Sequence, residues 1–155
     1  MGFEVFHRKV DLGLKQARKI IDGAMAEARR LSLQPMAVVV LDAGGNVVSA
    51  DVEDGAGILR FDLAIGKAAG GLGFGASSST MTARTTGRET FVSGVAAAAQ
   101  GRFVPAGGGV LLLDDDDTII GAVGASGDSP DNDEVCVHAG IDGAGMRPGF
   151  DAAEA

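Results

Sequence analysis

Glu134, His138 and Asp142 are spaced four apart, so on a helix they share one face with the imidazole between two carboxylates. Two such neighbours favour the imidazolium form. That leaves two readings: an exposed polar face, or a His–carboxylate pair for proton transfer or metal binding. Cys136 lies on the neighbouring stripe and reads as a small core residue. Lys67 has Leu63, Ala64 and Gly71 as its helical neighbours. A lysine in that setting either snorkels outward or points its ammonium into a cleft, to hold an anionic ligand or act as a base. Gly107, Gly108 and Gly109 precede the apolar run "VLLL". They lack the lysine of G-x-x-x-x-G-K-S/T, and they lead into a strand rather than a helix. They read as a glycine turn that lets a ligand approach the backbone and whose N–H groups can bind a carboxylate.

Other chemistry is thinner. Asp114–Asp117 lack the ligand spacing of a calcium loop and read as a solvated hairpin tip, where aspartate caps the local backbone. "GASSST" is not a G-x-S-x-G nucleophile elbow. No Cys/His cluster has zinc spacing, so no metal site is expected. If haem binds, its axial ligand is restricted to His7, His138, Cys136 or a methionine: Met25, Met36, Met81, Met146 or the initiator.

The elements that position these residues follow from periodicity. Val10, Leu14, Ala17, Ile21, Ala24, Ala28 and Leu31 form one helical face, which predicts a helix over about 10–32, ended before Pro35. Residues 37–41 and 47–52 predict two strands joined by the turn "DAGGN". Ile58, Phe61, Ala64, Ile65, Ala68 and Leu72 predict a helix over about 57–73. Its other positions include Gly66, Gly70 and Gly71, and glycine costs about 1 kcal/mol relative to alanine in a helix. Such a helix must pack closely on the sheet or on another subunit. "ASSSTMTARTTG" reads as a loop and "RETFVSGVAAAAQ" as a third helix. A second hairpin, "VLLLDDDDTIIGA" (110–122), overlays the first, "VVVLDAGGNVVSA" (38–50), without a gap. The last helix opens at Ser129 as N-cap with Pro130 in its first position, and it runs to about Ile141. The tail from Met146 to Ala155 reads as frayed. Hairpins interspersed with helices predict an α+β fold with antiparallel pairing, in one domain over 1–155 with a core of about 10–145.

Composition narrows the partners. The chain has 155 residues, with 13 Lys+Arg against 21 Asp+Glu and a formal charge of −8. That balance argues against a nucleic-acid surface and against docking on anionic lipid. No apolar run reaches a membrane-spanning length, and the N-terminus has no secretory apolar core, so a cytoplasmic location is expected. One cysteine excludes an intramolecular disulfide.

Several stretches together resemble the GlcG/HbpS family, which includes the C-terminal domain of PduO-type proteins. They are "VVVLDAGGNVVSADVEDGAG", then "LAIGKAAGGLGF", then "PAGGGVLLLDDDDTIIGAVGASGDSPDNDEVCVHAG". The resemblance covers about residues 10–145. By motif it carries over Asp42, Gly44, Gly45, Asp54, Gly55, Lys67, Gly108, Gly109, Gly121, Gly124, Ser126, Gly127, Asp133 and Glu134. Val52 stands where the family often has arginine. The resemblance implies a profilin-like fold, a five-stranded antiparallel sheet flanked by helices, and homo-oligomers. It also implies binding of a small ligand, with haem binding or degradation among the family's roles, and a place beside glycolate and propanediol gene clusters. The expected function is small-ligand binding of this type, with haem as the possible cofactor and Lys67, Gly107, Gly108, Gly109 and His138 as its contacts. The alternative is an isomerase, lyase or hydrolase acting on a small carboxylate or carbonyl metabolite in catabolism. In that reading Lys67 anchors or activates the substrate, and Glu134 or His138 moves a proton.

Overall fold

A computed structural model describes residues 2–149. Its elements are α1 (Leu14–Arg30), β1 (Ala37–Asp42), β2 (Val47–Val52), α2 (Arg60–Phe74), α3 (Ser78–Thr85), α4 (Glu89–Ala98), β3 (Gly109–Leu113), β4 (Ile119–Ser126), α5 (Pro130–Gly143) and β5 (Arg147–Pro148). The five strands form one antiparallel sheet in the order β2-β1-β4-β3-β5. This is the expected α+β class with a five-stranded antiparallel sheet.

Strand β1 explains the layering. Every residue from Ala37 to Leu41 is buried, which is what a continuous apolar run means when both faces of a strand are covered. Val38 and Val40 join Val110, Leu112, Val123 and Ala125 beneath α1 and α5. Ala37, Val39 and Leu41 join Leu111 and Ala122 beneath Ala64 and Ala68 of α2. The helices therefore sandwich the sheet, α1 and α5 on one side and α2 on the other. The Ala64–Ala68 face of α2 packs closely on the sheet: a Cβ at Gly124 of β4 would overlap the Ala64 carbonyl. The glycines of α2 serve a different neighbour: a Cβ at Gly66 would meet Val104, one at Gly70 Phe103 and one at Gly71 the Ala76 carbonyl, so that side of the helix packs mainly on the segment between α4 and β3 and on the link into α3, within the same chain.

The structure departs from expectation in three places. Helix α1 begins at Leu14 rather than near residue 10, because Gly13 holds extended backbone (φ −84, ψ 156) and donates its N–H to Gln16 Oε1 at 2.9 Å. Val10 is consequently exposed. The "ASSSTMTARTTG" stretch is not a loop, since it contains helix α3. Its hydroxyls turn inward along the helix: Thr82 donates to the Ser78 carbonyl, Thr85 to Met81 and Thr86 to Thr82. The polar composition that suggests a loop is thereby satisfied locally. Finally, the segment expected to fray contains β5, where Leu112 pairs with Pro148 and Leu113 with Arg147. The remainder of that predicted tail, 150–155, lies outside the described residues.

Candidate functional site

Helix α5 starts where the sequence places it, with the Ser129 Oγ accepting the Asn132 N–H at 3.2 Å and Pro130 in the first helical position. The cap sets the direction of the first turn. It sends Asp133 inward, with 1% of its surface exposed, and leaves Glu134 part-buried beside it.

Lys67 reaches Asp133 from α2. Its ammonium donates to Asp133 Oδ2 and to the Ala125 carbonyl, both at 2.9 Å. The other carboxylate oxygen, Asp133 Oδ1, accepts the Asp128 N–H at 2.9 Å. Lys67 is only 4% exposed. Of the two orientations open to it, snorkelling is excluded. The ammonium points inward, into an ion pair sealed between α2, β4 and α5, and not into an open cleft.

Of the three glycines, Gly108 lines this pair, while Gly107 lies against Glu134 and Gly109 against the Lys67 backbone. Gly108 sits at φ +109, and a Cβ there would lie 2.9 Å from both Asp133 Cβ and the Ala125 carbonyl and 3.2 Å from Lys67 Nζ. Its N–H donates to Glu134 Oε2 at 3.3 Å. The Gly109 N–H donates to Ser78 Oγ at 2.7 Å. A Cβ at Gly107 would meet Glu134 Oε2 at 2.9 Å. The turn is thus closed over by the chain's own groups.

Glu134 joins this buried half to an open one. Its Oε1 accepts from Ser79 Oγ at 3.2 Å and lies 3.9 Å from His138 Nε2, one turn along α5. The His138 side chain is 42% exposed. Around it lies a shallow depression of about 590 Å³, lined by Glu27, Ser79, Asp131, Glu134, Val135, His138, Ala139 and Asp142. Its lining is apolar at Val135 and Ala139 and carries four carboxylates, Glu27, Asp131, Glu134 and Asp142. Lys67, Gly107–Gly109, Glu134 and His138 are therefore neighbours, but only Glu134 and His138 face this depression. Ser78 and Ser79 belong to the constellation and escaped sequence reasoning, because they stand at the start of the helix read as a loop. Asp133 was marked only by motif.

Two nearby features are structural in their chemistry. Burial pushes the Cys136 thiol up to about 11, reinforced by Asp133 and Glu27, so the thiol is not a ready nucleophile. Asp114 organises its own turn, with Oδ1 accepting the N–H groups of Asp116 and Thr118 at 2.9 Å each. Among the described residues, no group of three or more His, Cys, Asp or Glu side chains is placed to hold a metal ion, and no helix is long and apolar enough to cross a membrane.

Comparison with known proteins gives one family. Residues 12–142 match the family described as haem-degrading protein HbpS-like. No curated protein matches the chain. Among solved structures, Klebsiella pneumoniae protein ORFY is 20% identical at a TM-score of 0.79, over 94% of this chain and 98% of that one. PduOC, solved as its haem complex, is 23% identical at 0.80, over 91% and 100%. HbpS is 23% identical at 0.72, over 92% and 95%. At these identities the structures share the fold.

Proposed function

The chain belongs to the HbpS-like family of haem-degrading proteins, and from that premise we propose that it is a small-ligand-binding protein whose ligand is haem. The observation that carries this reading is the family match across residues 12–142. The haem complex of PduOC, on the same fold, supports it.

The depression on α5 suits such a ligand in two respects. His138 offers a half-exposed imidazole, a side chain of the kind that would hold haem iron. Val135, itself 48% exposed, gives an apolar surface beside it. The carboxylates of Glu27, Asp131, Glu134 and Asp142 that line it would oppose any anionic group of the ligand placed beside them. Bound haem would supply iron-centred redox chemistry. The chain's own residues hold and orient: Glu134, fixed by Ser79 and the Gly108 N–H, sets the imidazole. The Lys67–Asp133 pair fixes the first turn of α5 that carries Glu134.

Hemin mixed with the purified protein should give a shifted Soret band that saturates at a stoichiometric ratio. His138→Ala should abolish the shift, while His7→Ala, in the exposed N-terminal segment, should leave it intact. A hemin spectrum unaffected by the wild-type protein would overturn the haem reading. Loss on His7→Ala alone would move the iron ligand to His7.

The same Glu134–His138 pair, 3.9 Å apart, supports a second reading, proton transfer on a small carboxylate or carbonyl metabolite by an isomerase, lyase or hydrolase. Its anchor cannot be Lys67 as placed here, since that ammonium is paired inside the protein. The carboxylates that line the depression favour a neutral carbonyl substrate over an acid. His138→Ala would then remove turnover without any haem-dependent signal.

A further inference from the structure

The two edges of the sheet are unequal. On one side β5 is only two residues long. On the other, β2 is a six-residue strand that, among the described residues, pairs with β1 on one side and with no strand on the other. An edge of that length is a template for another strand unless it is blunted by proline, lysine or a bulge. Sequence "VVSADV" contains neither proline nor lysine. Its bulge lies at the turn end, opposite Val40/Leu41, and Ser49–Val52 run in continuous register. The Glu53 N–H is turned inward to the Met36 carbonyl at 2.9 Å. Alternation then aims the N–H groups of Ala50 and Val52 outward.

The same chain carries a segment outside any sheet or helix. Residues 2–10 have no regular secondary structure, and no backbone hydrogen bond ties 2–12 to the other described residues. Phe3, Val5, Phe6 and Val10 are 97%, 62%, 103% and 69% exposed. Aromatic and β-branched residues of this kind favour strands. The segment also has an order of charge: Phe3, Val5 and Phe6 with the single acidic Glu4 among them, then His7, Arg8 and Lys9. Strand β2 has the matching order, with Val47 and Val48 first, then Asp51, followed by Glu53 and Asp54. Within the chain Arg8 lies 3.8 Å from Asp42, and Lys9 lies 2.9 Å from Asp11, the two basic side chains being 80% and 87% exposed. Exposed pairs of this kind are worth about 0–1 kcal/mol and exchange readily.

We propose that the N-terminal segment of a second copy of this chain adds in parallel to the free edge of β2, with Arg8 beside Asp51 and Val5 beside Val48. Main-chain hydrogen bonds supply the attraction, and the matched charge order sets direction and register. The pairing gives the expected homo-oligomer a specific seam on β2, and it goes beyond the haem reading because no element of the α5 depression takes part.

Light scattering on the full chain over a range of concentrations tests this. The expected result is a reversible oligomer that loosens as salt rises. Deleting residues 2–9, or removing the outward donor with Val52→Pro, should weaken association about 100-fold, the scale of an interface hot spot. Arg8→Asp and Asp51→Arg should each weaken it about 10-fold, and the two together should restore it. A monomer at every concentration, an oligomer indifferent to the deletion, or a double charge exchange no better than the single ones would each overturn the proposal. Concentration-independent hydrogen-exchange protection of the Ala50 and Val52 amides would also overturn it, since the segment would then be pairing within its own chain.

Discussion

Burying an ammonium costs several kcal/mol unless a charge and further acceptors meet it, and Lys67 has both, in Asp133 and the Ala125 carbonyl. Such a pair adds little net stability but is costly to break from one side. Lys67→Ala is expected to destabilise by about 3–5 kcal/mol, because it leaves an unpaired buried carboxylate. Lys67→Met with Asp133→Asn should recover most of that loss, since asparagine still accepts the Asp128 N–H. Urea titration of the wild type and the two variants measures both. Asp128 itself gives a pH signature. The Asn132 side chain and the Gln34 and Ser129 N–H groups bring its carboxyl from an ordinary 3.8 down to about 2. A depressed carboxyl contributes stability that is complete above its unfolded value and is lost as pH falls through the folded one. The contribution of Asp128 should therefore fade between about 3.8 and about 2. Asp128→Ala should be less stable than wild type at neutral pH, and the difference should close across that window. Cys136, with its thiol pushed up to about 11, should resist aromatic disulfide reagents at mildly alkaline pH until the protein unfolds.

The two hairpins show how far element-scale reading reaches. Their aligned sequences become the same turn. Asp42 Oδ1 accepts the Gly44 and Asn46 N–H groups as Asp114 Oδ1 accepts those of Asp116 and Thr118. The register shifts fall at matching places, Val40/Leu41 and Leu112/Leu113. The left-handed position is Gly45 (φ 79) in one and Asp117 (φ 61) in the other. Burial alone would raise the Asp42 carboxyl, but Asn46 and the Gly44 N–H outweigh it and hold it low. Asp42→Ala and Asp114→Ala should each cost about 1–2 kcal/mol in thermal or urea unfolding, the scale of charge-assisted bonds to backbone. A null effect at Asp114 would return that residue to the role of solvated tip. Period and turn chemistry made the hairpins, α1, α2 and α5 legible. Helix α3 was not, because its turns are stabilised by hydroxyls bonding back to carbonyls, a pattern shared with loops. The convergence of Lys67, Gly108 and Glu134 was hidden for another reason. It depends on α2 and α5 meeting at the end of β4 from opposite faces of the sheet, which no local spacing encodes.

At the scale of the whole molecule, stability is distributed unevenly. The two clusters that enclose the sheet contain every buried residue of β1, and Val123 and Ala122 of β4 divide between them. Helices α3 and α4 rest on a separate, smaller cluster of Ala76, Met81 and Phe103, with Val92, Val95 and Ala99 packed against it. No residue of α4 is buried. Segments with few buried apolar contacts open by local fluctuation well below the free energy of global unfolding, whereas central strands open only with it. Amides in Glu89–Ala98 should therefore exchange orders of magnitude faster than those of Val38–Val40 and Val123. Their apparent opening energy should be nearly independent of denaturant, because little surface is exposed. The central-strand amides should follow the global urea dependence. Ser79 and the Ser78–Gly109 bond tie α3 to Glu134 and to the start of β3, so α3 should fall between these limits. A ligand seated beside His138 should slow exchange in α3 and leave α4 unchanged. Equal protection across α4 and β1 would show instead that the helical hairpin unfolds with the core as one unit.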